Sequence, residues 1–256
     1  MEFESVIILG LLAVFVGVLI GSVGIGGVLL VPILTYLFKI EIHSAVSVAM
    51  FGYIFTGFAG AIVYGYKGSI DWRMAYWLVL GGMPGAFLGS LLAQQIPEVG
   101  LELIIGIFVC FAGFKAFKAH AKSFVIKRDL GKGLLFFLGI IIGLGSAVSG
   151  TGGPLLLVPT LVLFNVTSHI AVGLSQAIQL PVAILASLGN YFYGFIDIAV
   201  AGILGFGLAL GGAIGAHFVH YLPAKTMSKL IAWVLVCVGF FILFKLSAKL
   251  LLAWCC

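Results

Sequence analysis

Long apolar runs separated by short polar interruptions set the pattern of this chain. The runs cover residues 5–38, 44–65, 72–93, 99–117, 132–164, 170–192, 198–220 and 226–246. Six of them are close to the roughly 20 residues that an α-helix needs to cross a hydrocarbon core of about 30 Å. The other two, 5–38 and 132–164, are too long for one crossing, and glycine interrupts each in the middle. The first interruption is Gly21-Ser-Val-Gly-Ile-Gly-Gly27, and the second runs from Gly145 to Pro154. The pattern predicts an all-α polytopic membrane protein.

The interruptions belong to a repeat. Gly24-Ile-Gly-Gly-Val-Leu-Leu-Val-Pro32 matches Gly150-Thr-Gly-Gly-Pro-Leu-Leu-Leu-Val-Pro159 with one inserted residue. Downstream, His43-Ser-Ala-Val matches His169-Ile-Ala-Val, and Gly68-Ser-Ile-Asp71 matches Gly194-Phe-Ile-Asp197. Gly81-Gly-Met-Pro-Gly-Ala86 matches Gly211-Gly-Ala-Ile-Gly-Ala216. Four ordered matches at a spacing of about 126 residues divide the chain into two copies of one unit, 1–120 and 132–256, joined by a linker at 121–131. Each unit reads as a glycine-broken helix, re-entrant or double, followed by three transmembrane helices.

Length decides how the units are oriented. The arms flanking the second break are expected to hold about 13 and 10 residues, which reach roughly 20 and 15 Å at 1.5 Å per residue. Arms of half a bilayer each suit a V that descends to the midplane, turns on glycine and returns. A V makes no net crossing and three spans follow it, so two units in tandem are expected to be inverted relative to each other. Charge does not discriminate. With 115–132 cytoplasmic, inverted and parallel arrangements both place ten basic residues inside and three outside.

Composition sharpens the class. Charged residues are 8% of the chain and hydrophobic ones 63%, against about 25% charged in soluble domains. A water-facing surface cannot be built from so few charges, and the exterior is expected to face lipid. Six of the 13 basic residues, Lys115, Lys118, Lys122, Lys127, Arg128 and Lys132, cluster in one loop. That cluster reads as a cytoplasmic topology signal in a bacterial inner membrane rather than as a nucleic-acid footprint. The N-terminal Met-Glu-Phe-Glu-Ser is acidic, so the first apolar segment is expected to stay as structure rather than be removed as a signal. Cys110, Cys237, Cys255 and Cys256 show neither metal nor redox spacing, and no cofactor is expected.

The chemistry concentrates at the two breaks. Irregular backbone at membrane depth survives only where protein buries it or water reaches it. A broken helix presents free N–H groups and a positive dipole end, which suit a small anion. The candidate binding residues are therefore Ser22, Gly24, Gly26 and Gly27 in the first break. Ser149, Gly150, Thr151, Gly152 and Gly153 are the candidates in the second, with Ser146 as a further hydroxyl. All eight acidic residues fall at segment ends or in loops, so a cation would lack a counter-charge at mid-membrane, whereas an anion needs none.

Gln176 and Gln179 share one helix face, three residues apart, and with Asn190 are the polar side chains least suited to lipid. They either line the cavity as amide donors or hydrogen-bond neighbouring helices. His43 and His169 stand at matching helix starts, where they either cap the interface or couple transport to a proton. His217 and His220 have no third ligand in view. Ser149 with His169 invites an intramembrane protease reading, but a base must lie within hydrogen-bond reach of its nucleophile. A half-helix separates these two, so no enzyme is expected.

The first glycine run, its second copy and the two His-x-Ala-Val segments resemble the TauE/SafE sulfite-exporter family over nearly the whole chain. The resemblance implies a secondary carrier of sulfur-containing anions such as sulfite, sulfoacetate and other organosulfonates, including permeases that take up 4-toluenesulfonate. It carries over no catalytic residues. The expected partners are a small anionic substrate, the lipid bilayer and a coupling proton. The oligomeric state is open, a homodimer included. A passive anion channel and a membrane subunit without transport activity are the rival readings.

Overall fold

The computed structural model describes residues 3–24, 26–97, 130–164, 166–192 and 196–221, with isolated positions 100, 103, 226, 229, 233, 236, 237, 240 and 244. Most of the linker and the apolar segments expected at 99–117 and 226–246 lie outside the described residues. Within them the chain is helical and contains no strand.

The helices are α1 (Phe3–Val23), α2 (Gly27–Pro32), which continues as a π-helical turn over Ile33–Leu37, α3 (Ile42–Tyr66) and α4 (Trp72–Ala93). They are followed by α5 (Lys132–Ser149), α6 (Pro154–Leu163), α7 (Ser168–Tyr191) and α8 (Ile198–Val219). Six, namely α1, α3, α4, α5, α7 and α8, are long and apolar enough to cross a membrane. Large apolar side chains point outward around them: Leu11, Phe137 and Phe206 are each more than 60% exposed. An apolar exterior of that kind is stable only against lipid, so the chain is a multi-pass membrane protein.

The matching Asp residues begin matching helices. Asp71 caps α4 by accepting from the N–H groups of Arg73 and Met74. Asp197 caps α8 by accepting from Ala199 and Val200. Each satisfies two of the N–H groups that a helix start leaves without an internal partner.

The breaks lie further along than their glycine content suggested. Gly21 and Gly145 remain helical, and the chain first turns at Gly24 (φ 77°) and Gly150 (φ 64°). Both occupy the left-handed region that glycine enters without a Cβ penalty. The earlier glycines serve packing instead: an added Cβ on Gly21 would strike the backbone of Gly212. The expectation of two half-length arms is corrected accordingly. The leading arms α1 and α5 hold 21 and 18 residues, about 31 and 27 Å, and only the returning arms are short.

Small residues set the helix pairing. Added Cβ atoms on Gly17 and Gly21 of α1 would meet α8 at Leu208–Gly212 and Gly212–Ala216, while those on Gly211 and Gly215 would meet Val14 and Val18. Positions rise together, so α1 and α8 run parallel. The same holds for α4 and α5, where Gly81, Gly85 and Gly89 approach Phe136, Ile140 and Leu144. In contrast α3 and α7 are antiparallel, with Gln179 at Tyr53, Gln176 at Gly60 and Gly173 at Tyr64. These contacts also revise one sequence match. Gly85 on Ile140 corresponds to Gly211 on Val14, and Gly89 on Leu144 to Gly215 on Val18. The register is therefore 126 along this face too. The match of Gly81–Ala86 to Gly211–Ala216 is slipped by one helical turn, because glycine recurs every four residues along this face.

Candidate functional site

The two breaks meet. A Cβ on Gly27 would lie 2.7 Å from the carbonyl oxygen of Thr151. Gly24 packs against Val158 and Val172, and Gly150 packs against Val31 and Val46, its counterparts in the other repeat. Each returning helix thus runs past the opposite break.

Tyr53, fully buried, sits between them. Its hydroxyl donates to the Gly27 carbonyl at 2.7 Å, and its ring lies where a Cβ on Gly152 would come within 2.8 Å. Both breaks are closely packed: added Cβ atoms at Gly24, Gly26 and Gly27, and at Gly150 and Gly152, all meet atoms within about 3 Å. Gly153 is different. Its φ is 93°, and an added Cβ would meet nothing nearer than Ser146 Oγ at 3.8 Å.

The hydroxyls divide in the same way. Ser22 donates to Val18 O at 2.6 Å on its own helix. Ser149 donates to Gly145 O at 2.6 Å, so its 2.9 Å contact with Thr151 places the Thr151 proton on Ser149. Ser146 Oγ is fully buried and makes no hydrogen bond. It faces Gly153, the residue before α6. Pro154 opens that helix and carries no N–H, the N–H groups of Leu155 and Leu156 precede the first intrahelical bond, and Leu157 N is the first to reach back, to Gly153 O at 3.3 Å. Of the glycines from Gly24 to Gly27 and from Gly150 to Gly153, Gly153 is the one whose added Cβ would meet nothing closer than ordinary contact, and it adjoins a hydroxyl and a helix start. The described carboxylates Glu4, Glu41, Asp71 and Asp197 all stand at helix starts, away from it.

Gln176 and Gln179 are fully buried at the level of the breaks. Gln176 donates to Ile20 O at 3.0 Å, securing the last turn of α1, and Gln179 donates to Tyr53 O at 3.5 Å. Neither Oε1 has a hydrogen-bond partner. Asn190 is eleven residues beyond Gln179, about 16 Å along α7, where its Oδ1 accepts from Gln94. His43 and His169 begin α3 and α7 and, because those helices are antiparallel, stand at opposite ends of the bundle. His169 stacks on His220 with ring centroids 5.8 Å apart. His220 Nδ1 donates to Ala216 O at 2.6 Å, its Nε2 lies 3.1 Å from Ser69 Oγ, and Tyr64 packs 4.8 Å away. At the opposite end a cavity of about 390 Å³ is lined in part by Ser5, Lys39, Ser44 and Asp197.

Tyr53 and Tyr64 are the residues that sequence reasoning missed. Tyr64 donates to the Gly21 carbonyl at 2.9 Å. The repeat carried a signal for both, since Tyr53 precedes Gln179 by 126 residues and Tyr64 precedes Asn190 by the same interval.

Comparison with known proteins adds the family. The family described as Sulfite exporter TauE/SafE matches residues 8–242. The probable membrane transporter protein YdhB of Bacillus subtilis is 26% identical over 243 residues, 89% of this chain and 96% of its own. YunE of the same organism, also a probable membrane transporter protein, is 25% identical over 93% of this chain and 96% of its own. A probable membrane transporter protein of Haemophilus influenzae is 26% identical, covering 93% and 97%. No solved structure matches the chain. Because the match runs through both copies of the repeat, the chain belongs to the TauE/SafE sulfite exporter family of membrane transporters.

Proposed function

We propose that this membrane transporter is a secondary carrier of sulfur-containing oxyanions, sulfite or an organosulfonate, bound beside Gly153 at the start of α6. One observation carries the reading: an added Cβ on Gly153 would meet nothing nearer than Ser146 Oγ at 3.8 Å, and that buried hydroxyl has no hydrogen-bond partner. An anion there accepts from Ser146 and from the first N–H groups of α6, in the field of the helix start. The family's description as a sulfite exporter supports the substrate class.

The units 1–120 and 132–256 are inverted repeats in this reading. Support comes from helix directions: α1, α3 and α8 run one way, and α4, α5 and α7 the other. The leading helices α1 and α5, from equivalent positions, are thus opposed. Rocking of one unit against the other around the shared breaks provides alternating access. Lys67, Arg73 and Lys132 fall at one end of the bundle, which is the cytoplasmic end of an inner-membrane carrier by the positive-inside rule. The stacked His169 and His220 lie at that same end and are the proposed seat of the coupling proton.

Ser146→Ala tests the site. The variant loses a buried hydroxyl that bonds nothing, so its melting temperature is expected to be unchanged or slightly raised. Affinity for sulfite in a calorimetric titration of purified protein is expected to fall by roughly 1.5–3 kcal/mol, the worth of a hydrogen bond to a charge. Unaltered affinity moves the site elsewhere.

A further inference from the structure

The two breaks are related by the repeat, and they differ at one pair of equivalent glycines. Gly27 and Gly153 are equivalent residues. Beside Gly27 stands Tyr53, whose hydroxyl and ring tip would lie 3.1 and 3.3 Å from an added Cβ. The residue equivalent to Tyr53 is Gln179, shorter by most of a ring, and beside Gly153 nothing comes nearer than 3.8 Å. Thr151 O lies nearer still to the added Cβ of Gly27, at 2.7 Å, and Gly153 alone of the pair has a positive φ, so the Tyr-to-Gln difference is one of the features that set the two positions apart.

Gln179 brings a polar group as well as space. Its Nε2 is directed to the Tyr53 carbonyl and its Oε1 is buried without a partner. The two ends of the amide are not interchangeable here, because exchanging them sets Oε1 against the Tyr53 oxygen, acceptor against acceptor. The free end is therefore a carbonyl. The nearby Gln176 also has an unpartnered Oε1, but that atom lies against the backbone of Gly60, in tight packing.

We infer that Gln179 lines the space beside Gly153 and turns its side-chain carbonyl toward the ligand, so that the site selects a monoanion carrying its own hydrogen-bond donor. Resting on the anion-site reading above, this narrows the class to hydrogen-oxyanions and to sulfonates with an O–H or N–H on the atom bonded to sulfur. Ser146 and the α6 N–H groups hold the charged oxygens, and Gln179 Oε1 accepts from the donor. A ligand with a methyl group at that position leaves the carbonyl buried and unpaired, and sites built around a hydrogen bond discriminate strongly against analogues lacking it.

Sulfamate and methanesulfonate are a matched pair of probes. Both are monoanions with three oxygens on a tetrahedral sulfur, and they differ by an amino group in place of a methyl. Calorimetric titration of the full-length protein in detergent is expected to show sulfamate binding about tenfold or more tightly. Gln179→Met is expected to erase that preference, and Gln176→Met to keep it. Equal binding of the two probes by the unaltered protein overturns the inference and leaves the anion site standing. A preference that survives in a folded Gln179→Met protein also overturns it. If neither probe nor sulfite binds, the anion site itself falls, and the selection rule with it.

Discussion

Gln179 donates its side-chain amide to the backbone carbonyl of Tyr53, 3.5 Å away, and Tyr53 is the residue that holds the same place in the other repeat. The contact joins α7 to α3, the two antiparallel helices at the centre of the bundle. In the inverted-repeat reading, equivalent residues that touch lie close to the axis relating the two units. A phenol stands at that point in one repeat and an amide in the other.

Removing the amide one turn earlier tests how far these side chains are structural. Gln176 donates to Ile20 O, which already accepts from Gly24 N at 2.8 Å. Gln176→Leu therefore leaves no orphaned carbonyl, and the expected loss is about 0.5–1.5 kcal/mol. Reversible unfolding in mixed micelles measures it. A loss well above that range assigns Gln176 to a larger polar network.

Glycines at helix crossings carry a steeper cost. A Cβ on Gly143 would strike the Gly82 carbonyl and lie 3.0 Å from Ala86 N, all backbone, so relief requires α4 and α5 to separate. Gly143→Ala is expected to lose about 1–3 kcal/mol. Gly10→Ala, with nothing within 4 Å of the new Cβ, is expected to gain up to about 1 kcal/mol from helix propensity. Thermal melting of the two variants in detergent separates packing glycines from incidental ones.

Those same glycines show what could be read from the sequence. Apolar runs near 20 residues predicted α3, α4, α7 and α8 closely, because span length is dictated by bilayer thickness. Short identical strings carry the repeat, and the two Asp residues they match, Asp71 and Asp197, both begin helices. The turning residue within each break was not legible. Glycine marks both close helix approach and left-handed turns, and only the partner across the interface tells Gly21 from Gly24. The slipped match at Gly81 has the same origin. Tyr53 escaped notice because an aromatic residue in an apolar segment looks like any core or lipid-facing side chain. Its function depends on Gly27 and Gly152, which are distant in sequence.

Lys39 is the one described non-glycine residue in the left-handed region, with φ 55°. It follows the π-helical turn, where Ile40 N returns to Leu34 O at 3.1 Å, and its Cβ is disfavoured there by about 1–2 kcal/mol. Lys39→Gly is expected to raise stability by about 1 kcal/mol in the same melting assay, glycine's greater unfolded-state entropy offsetting part of the relief. Lys39 also lines the 390 Å³ cavity at the end opposite Lys132. Loss of its charge is therefore expected to slow anion association at low ionic strength, with the difference vanishing at high salt.

Copying one repeat into the other tests the central asymmetry. Gln179→Tyr places in the second repeat the side chain that fills the first, where Tyr53 reaches the Gly27 carbonyl. Gly153 has no neighbour nearer than 3.8 Å on its Cβ side, so the protein is expected to fold, with a stability change within about 1–3 kcal/mol. The phenol would then stand where the anion is proposed to bind, and sulfite binding is expected to disappear. Melting temperature and calorimetric titration on one preparation distinguish a plugged site from an unfolded protein. Sulfite affinity retained in a folded Gln179→Tyr variant places the anion away from Gly153 and leaves the Tyr–Gln difference as a matter of packing alone.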